Sequence, residues 1–204
     1  MVQLFSAEQV LTIELTPSAR SKDTICGTVT AIEKIEKPTH TIVAAIGLLK
    51  KESFEEAVHH ATVTGATHIV PLITTKSRKN WLHERELERL QGVIIAACEQ
   101  SKNRHIPTLF DPKVLSAATT LWPHAYTIGF EADCGHPIST LIEDLSAKKP
   151  AETKIFIGPE GGFTTEELTL LGTHKIKLYE LTQTVLRSQE AVCLAIGIVS
   201  ATLR

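Results

Sequence analysis

Six short apolar runs recur from residue 41 onward, and stretches of helical periodicity separate them. The runs are TIVAAIG (41–47), HIVPLI (68–73), IPTLF (106–110), AYTIGFE (125–131), KIFIG (154–158) and KIKLYEL (175–181). Ser53-Phe54-Glu55-Glu56 reads as a capping box opening a helix that ends near Gly65. Residues 81–100 read as a longer helix, with Leu87, Leu90, Ile94 and Ala97 on one face. Further helices are expected near 112–120, 138–146, 165–172 and 188–203. Strands that are apolar on both faces and alternate with helices predict a parallel sheet covered on two sides, an α/β fold.

Residues 1–37 depart from this pattern. VLTIEL and TICGTVTAIEKI look like two strands, with TPSARSKD as the turn and EKPTH (36–40) as a linker. Two strands alone are marginal in water, so this piece must pack on something or belong to a larger unit. The expected division is therefore a β-rich piece over 1–37 and the α/β domain over 41–204.

Several function classes are set aside by simple counts. Cys26, Cys98, Cys134 and Cys193 are far apart and form no C-x-x-C pair, which reads as separate reduced thiols in a cytoplasmic protein. His59 and His60 are adjacent and would diverge on a helix, so no metal site is expected. MVQLFSAEQV has no signal-peptide character, and the apolar stretch Ala191 to Leu203 is too short to span a bilayer, so no membrane partner is expected. A formal charge of −2 argues against a general nucleic-acid coat but leaves room for a local basic patch on RNA.

The chemistry concentrates in KIFIGPEGGFTTEEL, Lys154 to Leu168. A buried strand leads into a glycine-rich turn, and Thr164-Thr165-Glu166-Glu167 reads as the capping box of the next helix. In an open α/β sheet ligands bind at the carboxyl ends of strands, which is where this turn falls. There is no G-x-G-x-x-G and no G-K-[ST], and Glu160 inside the loop would repel phosphate. Glu160 suits a cationic ligand, one bearing an amine or a sulfonium; a plain tight turn with an exposed Glu is the competing reading. In YELTQTVLRSQEAVCLAIGIVSATLR, Ser188 can cap a final helix with Arg187 just before it. That helix is apolar round most of its circumference, as expected of one buried in the core or against another subunit.

IGPEGGFTTEE followed by LTQTVLRSQEA resembles the SPOUT-class RNA methyltransferases, and in particular the ribosomal RNA small-subunit methyltransferase E family. GATHIVPLITTKS and AACEQSKNRHIP resemble that family's segments in the same order. The resemblance implies a trefoil-knotted parallel sheet flanked by helices, S-adenosyl-L-methionine as cofactor, a homodimer formed through the knot and C-terminal helix, and methylation of uridine N3 in small-subunit (16S) ribosomal RNA or the assembled small subunit. By position it implies three cofactor-binding segments: Gly129, Phe130 and Glu131; then Ile157, Gly158, Pro159, Gly161 and Gly162; then Leu181, Thr182, Val185 and Leu186. Arg187 is the candidate for orienting the uracil or stabilising its negative oxygens, with a salt bridge to Glu190 or to the partner subunit as its plainer role. Glu160 is a candidate base or neighbour of the sulfonium. Lys76, Arg78, Lys79 and Arg104 are expected on the RNA, with the aromatic of TKSRKNW able to stack on a base. Arg and Glu alternating over 84–89 read as a solvated helix face.

The chain departs from the family pattern in three places. The family's amino-terminal RNA-binding barrel is about twice as long as the piece before residue 38, so the opening piece is expected to be a partial barrel. Thr182, Thr184 and Gln189 stand where the family has glycine, arginine and glutamate, and Asn103 where it has an arginine. A β-branched Thr in place of glycine narrows the backbone options beside the cofactor. A catalytically inert, knotted RNA- or ribosome-binding relative is the alternative these changes raise.

Overall fold

The computed structural model describes residues 2–5, 9–16, 26–132 and 134–204, with the backbone alone at Val2, Gln3, Phe5 and Lys79. Three antiparallel strands come first: β1 (Val2–Phe5), β2 (Gln9–Thr16) and β3 (Cys26–Lys34), in the order β1-β2-β3. The sequence pattern predicts two strands here, and β1 is the third; most of the expected turn TPSARSKD lies outside the described residues. Registers place Leu4, Leu11, Ile13, Leu15, Val29 and Ile32 on one face of this sheet. Four of them, Leu4, Leu15, Val29 and Ile32, are exposed.

The α/β portion begins with β4 (Thr41–Gly47), α1 (Lys51–Thr64), β5 (His68–Ile73), α2 (Glu84–Ser101), β6 (Thr108–Leu109), β7 (Lys113–Val114) and α3 (Leu115–Thr120). It continues with β8 (Tyr126–Phe130), α4 (Ile138–Lys148), β9 (Glu152–Ile157), α5 (Thr165–Thr173), β10 (Lys177–Tyr179) and α6 (Ser188–Thr202). The sheet runs β10-β8-β9-β4-β5-β6, with β7 also on β5, and every pair is parallel.

Both faces of the sheet are covered, and β4 shows why its sequence is apolar at every position. Ile42, Ala44 and Ile46 point into a core shared with α1, α2, α4 and α6, while Val43 and Ala45 point into one shared with α3 and α5. Burying each large apolar side chain on such a strand contributes roughly 1.5–3 kcal/mol. The run at 106–110 pairs with β5 through Thr108–Leu109, the Thr108 and Phe110 N–H groups donating to Thr67 O at 3.0 Å and Ile69 O at 2.9 Å.

Four helix starts differ from expectation: α2 begins at Glu84 and not at 81, α3 begins at Leu115 and not near 112, and α1 and α6 differ in their caps. α1 begins at Lys51 with Lys50 as its N-cap, so Ser53 does not open it. α6 has Arg187 as its N-cap, in an extended conformation, and Ser188 is its first helical residue. The Glu190 carboxylate accepts the Arg187 backbone N–H at 3.0 Å there, the work expected of a capping side chain. The capping box at Thr164 and Glu167 forms as expected.

After β10, at the sheet edge, the chain crosses back over the carboxyl ends of β8 and β9 through residues 181–187. It then enters α6, which packs on α1, α4, β4 and β9. Among the described residues, no helix is long and apolar enough to cross a membrane.

A candidate cofactor cleft among three loops

The carboxyl ends of β8, β9 and β10 are neighbours in the sheet, so the loops leaving them meet although they lie far apart in sequence. Residues 130–132, 157–162 and 181–186 enclose a cleft of about 270 Å³, closed at its base by Ser188 and Ala191 of α6. This is close to the lower end of the range for small-molecule sites, about 300 Å³. Eleven of the twelve residues expected to hold a cofactor line it. Gly129 does not. It lies within β8, where a Cβ would come 2.7 Å from Leu178 Cδ2, so its small size serves sheet packing.

The glycine-rich loop is held from several directions. Gly162 has φ +65°, the left-handed region that glycine enters without strain, and its Cα faces the Glu131 carboxylate. A Cβ on Gly158 would come 3.3 Å from Gly162 Cα, so the loop folds tightly on itself. Lys76 Nζ donates to Gly161 O at 2.6 Å and to Phe163 O at 3.2 Å. Glu167, nearly buried, accepts from the Thr75 N–H at 2.7 Å, from Thr75 Oγ1 at 3.0 Å and from the Thr164 N–H at 2.9 Å. The loop after β5 thus carries two brackets for the loop after β9. Lys76, expected on the RNA, has its ammonium committed to these carbonyls.

Glu160 stands on the rim. Its Oε1 accepts the Lys50 N–H at 2.9 Å, so a carboxylate 110 residues away supplies the cap that α1 lacks locally. Glu131, inside the cleft, has its carboxyl pushed above the usual carboxylate range by burial. The Phe163 and Ala132 N–H groups and the Lys76 charge offset part of that shift.

A second hollow adjoins the first and shares Glu160, Gly161, Val185, Leu186 and Ser188 with it. Arg187 opens into this second hollow together with Lys50, Lys76 and Arg78. Of Arg187 only the backbone reaches Glu190, so the salt bridge considered for its side chain is not made.

Two other expected RNA contacts, Arg104 and the aromatic Trp81, are placed elsewhere. Arg104 pairs with Glu33 of β3 at 3.0 Å and lines neither hollow. The Lys79 side chain is outside the description. Trp81 donates through Nε1 to Leu49 O at 2.8 Å and packs on Phe54 at 5.6 Å, so it anchors the core and is not free to stack on a base. Arg89 pairs with Glu55 at 2.8 Å, as a solvated helix face would.

The positions that depart from the family pattern are each occupied by a working contact. Thr182 keeps a negative φ, and its Oγ1 donates to Thr184 O at 2.6 Å, closing the turn without glycine. Gln189 Nε2 donates to Glu56 Oε2 at 3.3 Å, where a glutamate would meet like charge. Asn103 donates to Thr62 O and accepts from the His105 N–H, both at 3.0 Å, tying the loop after α2 to α1.

A parallel sheet with a cleft over three adjacent strands is the arrangement that the resemblance to the SPOUT-class methyltransferases implies. Residues 36–200 match the family model described as an RNA methyltransferase domain, and the chain belongs to that family. It is 30% identical over 170 residues to a Ribosomal RNA small subunit methyltransferase E from Rickettsia conorii, covering 81% of this chain and 67% of that one. A protein of the same name from Synechocystis is 26% identical, covering 91% of this chain and 62% of that one. The chain thus spans about two thirds of the length of these relatives. Among solved structures, a Legionella pneumophila methyltransferase with bound S-adenosylmethionine superposes with TM-score 0.85 at 22% identity, covering 98% of this chain and 81% of that one. A Ribosomal RNA small subunit methyltransferase E from Neisseria gonorrhoeae, also bound to S-adenosylmethionine, gives 0.84 at 18%, covering 98% of this chain and 82% of that one.

Proposed function

We propose that this chain methylates uridine N3 in small-subunit ribosomal RNA with S-adenosylmethionine as the donor. The observation that carries the reading is the meeting of three distant loops in one cleft, with apolar Ile157, Leu181 and Leu186 beside the open backbone of 158–162. That donor set fits an adenosine, whose flat faces want apolar contact and whose edges want backbone hydrogen bonds. Glu131 offers acceptors to the ribose hydroxyls. The uridine N3 specificity rests on the resemblance of the loop motifs.

Bound there, S-adenosylmethionine would supply a methyl group already activated on its sulfonium, so the protein has to align an in-line attack and manage one proton. Glu160, on the rim between the two hollows, places a carboxylate beside that positive charge while its other role, on Lys50, fixes where it stands. Arg187, from the adjoining hollow, orients the uracil and stabilises the negative charge that builds on its oxygens as the N3 proton passes to Glu160, the candidate base, and on to solvent.

The three-stranded sheet, with its exposed apolar face, is read as part of an RNA-binding barrel over residues 1–37, and Arg78 and Lys79 as phosphate contacts. A homodimer through the knot and α6 is supported by Leu194, an apolar side chain of α6 that is exposed. Light scattering tests it, and a monomer at micromolar concentration would refute it. The enzyme reading is tested by calorimetric titration with S-adenosylmethionine and its demethylated product, then by transfer of labelled methyl to isolated small subunits. No binding to the folded protein would overturn it in favour of an inert relative. Full activity in R187A would remove Arg187 from the chemistry.

A further inference from the structure

The second hollow has an unusual charge balance. Lys50, Lys76, Arg78 and Arg187 line it, and Glu160 is the sole carboxylate among its lining residues. Glu160 is committed to the Lys50 N–H and Lys76 to two carbonyls. The side chains of Lys50, Arg78 and Arg187 make no hydrogen bond or ion pair among the described residues. Three unpaired cations around one hollow of about 680 Å³ repel one another, and an anion between them relieves that cost. Val185, 84% exposed, stands at the passage between the two hollows.

We infer that this hollow holds the phosphodiester of the target nucleotide, gripped by Lys50 and Arg78, with Val185 against the face of the base as it passes toward the methyl donor. The inference rests on the proposed methyltransferase reading and extends it to Lys50, a residue that no motif marks. Arg and Lys are suited to phosphate for different reasons, Arg as a planar fork and Lys as a mobile point charge. Placing the grip on the nucleotide that carries the base lets backbone contact set the depth to which that base enters.

The methionine carboxylate of the donor is the other anion that could lie here, and the experiment separates the two. Fluorescence anisotropy of a labelled short single-stranded RNA is followed against salt for the wild type and for K50A/R78A. Calorimetry with the demethylated cofactor product runs in parallel. Removing two phosphate contacts should flatten the slope of log K against log salt by about 1.4 and weaken binding roughly tenfold near physiological salt, with affinity for the cofactor product unchanged. An unchanged slope in a folded variant overturns the inference. So does a loss of cofactor-product affinity with the RNA slope intact, which would assign the hollow to the carboxylate. If the wild type binds no cofactor product and the slope still falls, the phosphate site stands while the methyltransferase reading fails.

Discussion

Glu160 Oε1 accepts the backbone N–H of Lys50 at 2.9 Å, joining the glycine-rich loop to the start of α1 across 110 residues of chain. One carboxylate therefore serves as a helix cap and as a wall of the proposed donor site. The two roles separate by substitution. E160Q keeps an acceptor oxygen and should leave stability within error, whereas E160A should lose about 0.5–1 kcal/mol in denaturant unfolding. If the charge also favours the sulfonium, E160Q should lose more affinity for S-adenosylmethionine than for the demethylated product, whose sulfur is neutral, relative to wild type. Equal effects on both ligands would limit Glu160 to capping.

Thr182 shows how a departure from a family pattern can be absorbed. Its φ is negative and its hydroxyl closes the turn on Thr184 O, so the loop has no need of glycine. Replacing it by the glycine usual in the family frees the backbone and deletes that bond. T182G should lower stability in denaturant unfolding by roughly 0.4–1 kcal/mol, the cost of the freedom that glycine gives the unfolded chain. Tighter cofactor binding in calorimetry would show that the β-branch obstructs the cleft.

Gln189 and Glu56 make a matched pair between α6 and α1. Q189E would set two carboxylates against each other in a half-buried place and should destabilise by about 1–2 kcal/mol at neutral pH. Like charge raises both carboxyl pKa values in the folded state, so the deficit should shrink as pH falls through the ordinary carboxylate range. The double variant Q189E/E56Q should recover most of the loss. A deficit that does not vary with pH would exclude repulsion as its cause.

His68 provides a pH dependence of the fold itself. It packs against Phe110 and Trp122 and shares a 2.8 Å hydrogen bond with Thr67, and burial lowers its pKa below 6.5, with Glu152 partly opposing. The folded state therefore holds it neutral where the unfolded chain takes up a proton. Its contribution is present above pH 6.5 and is lost as pH falls below that value. Urea unfolding of H68Q should show a shallower decline of stability below pH 6.5 than the wild type, and an identical decline would place the sensitivity elsewhere.

The architecture was legible in the sequence because its signals are local. Runs such as TIVAAIG and KIFIG state burial on both faces within seven and five residues, and Thr164 with Glu167 completes a cap within one turn. The cleft was legible in outline because loops at strand ends face ligands wherever the sheet is parallel. What escaped is long-range. Lys50 with Glu160, Thr75 with Glu167 and Lys76 with Gly161 are separated by 110, 92 and 85 residues and leave no periodic trace. The start of α1 was misplaced for that reason, since its cap comes from the other end of the domain. Trp81 looked like a stacking platform because its composition-level surroundings are basic, while its partners Leu49 and Phe54 are fixed only by the fold.

The brackets from Thr75 and Lys76 have a consequence for how such a site can change over time. They set the conformation of residues 160–164 by contacts among protein groups alone, so this wall is preorganised and little ordering entropy falls on ligand binding. A rigid wall can tolerate drift in the one opposite it. Thr182 and Thr184 face a geometry held by the far side of the cleft, so a lysine and a threonine that need touch no ligand decide the shape that a ligand meets.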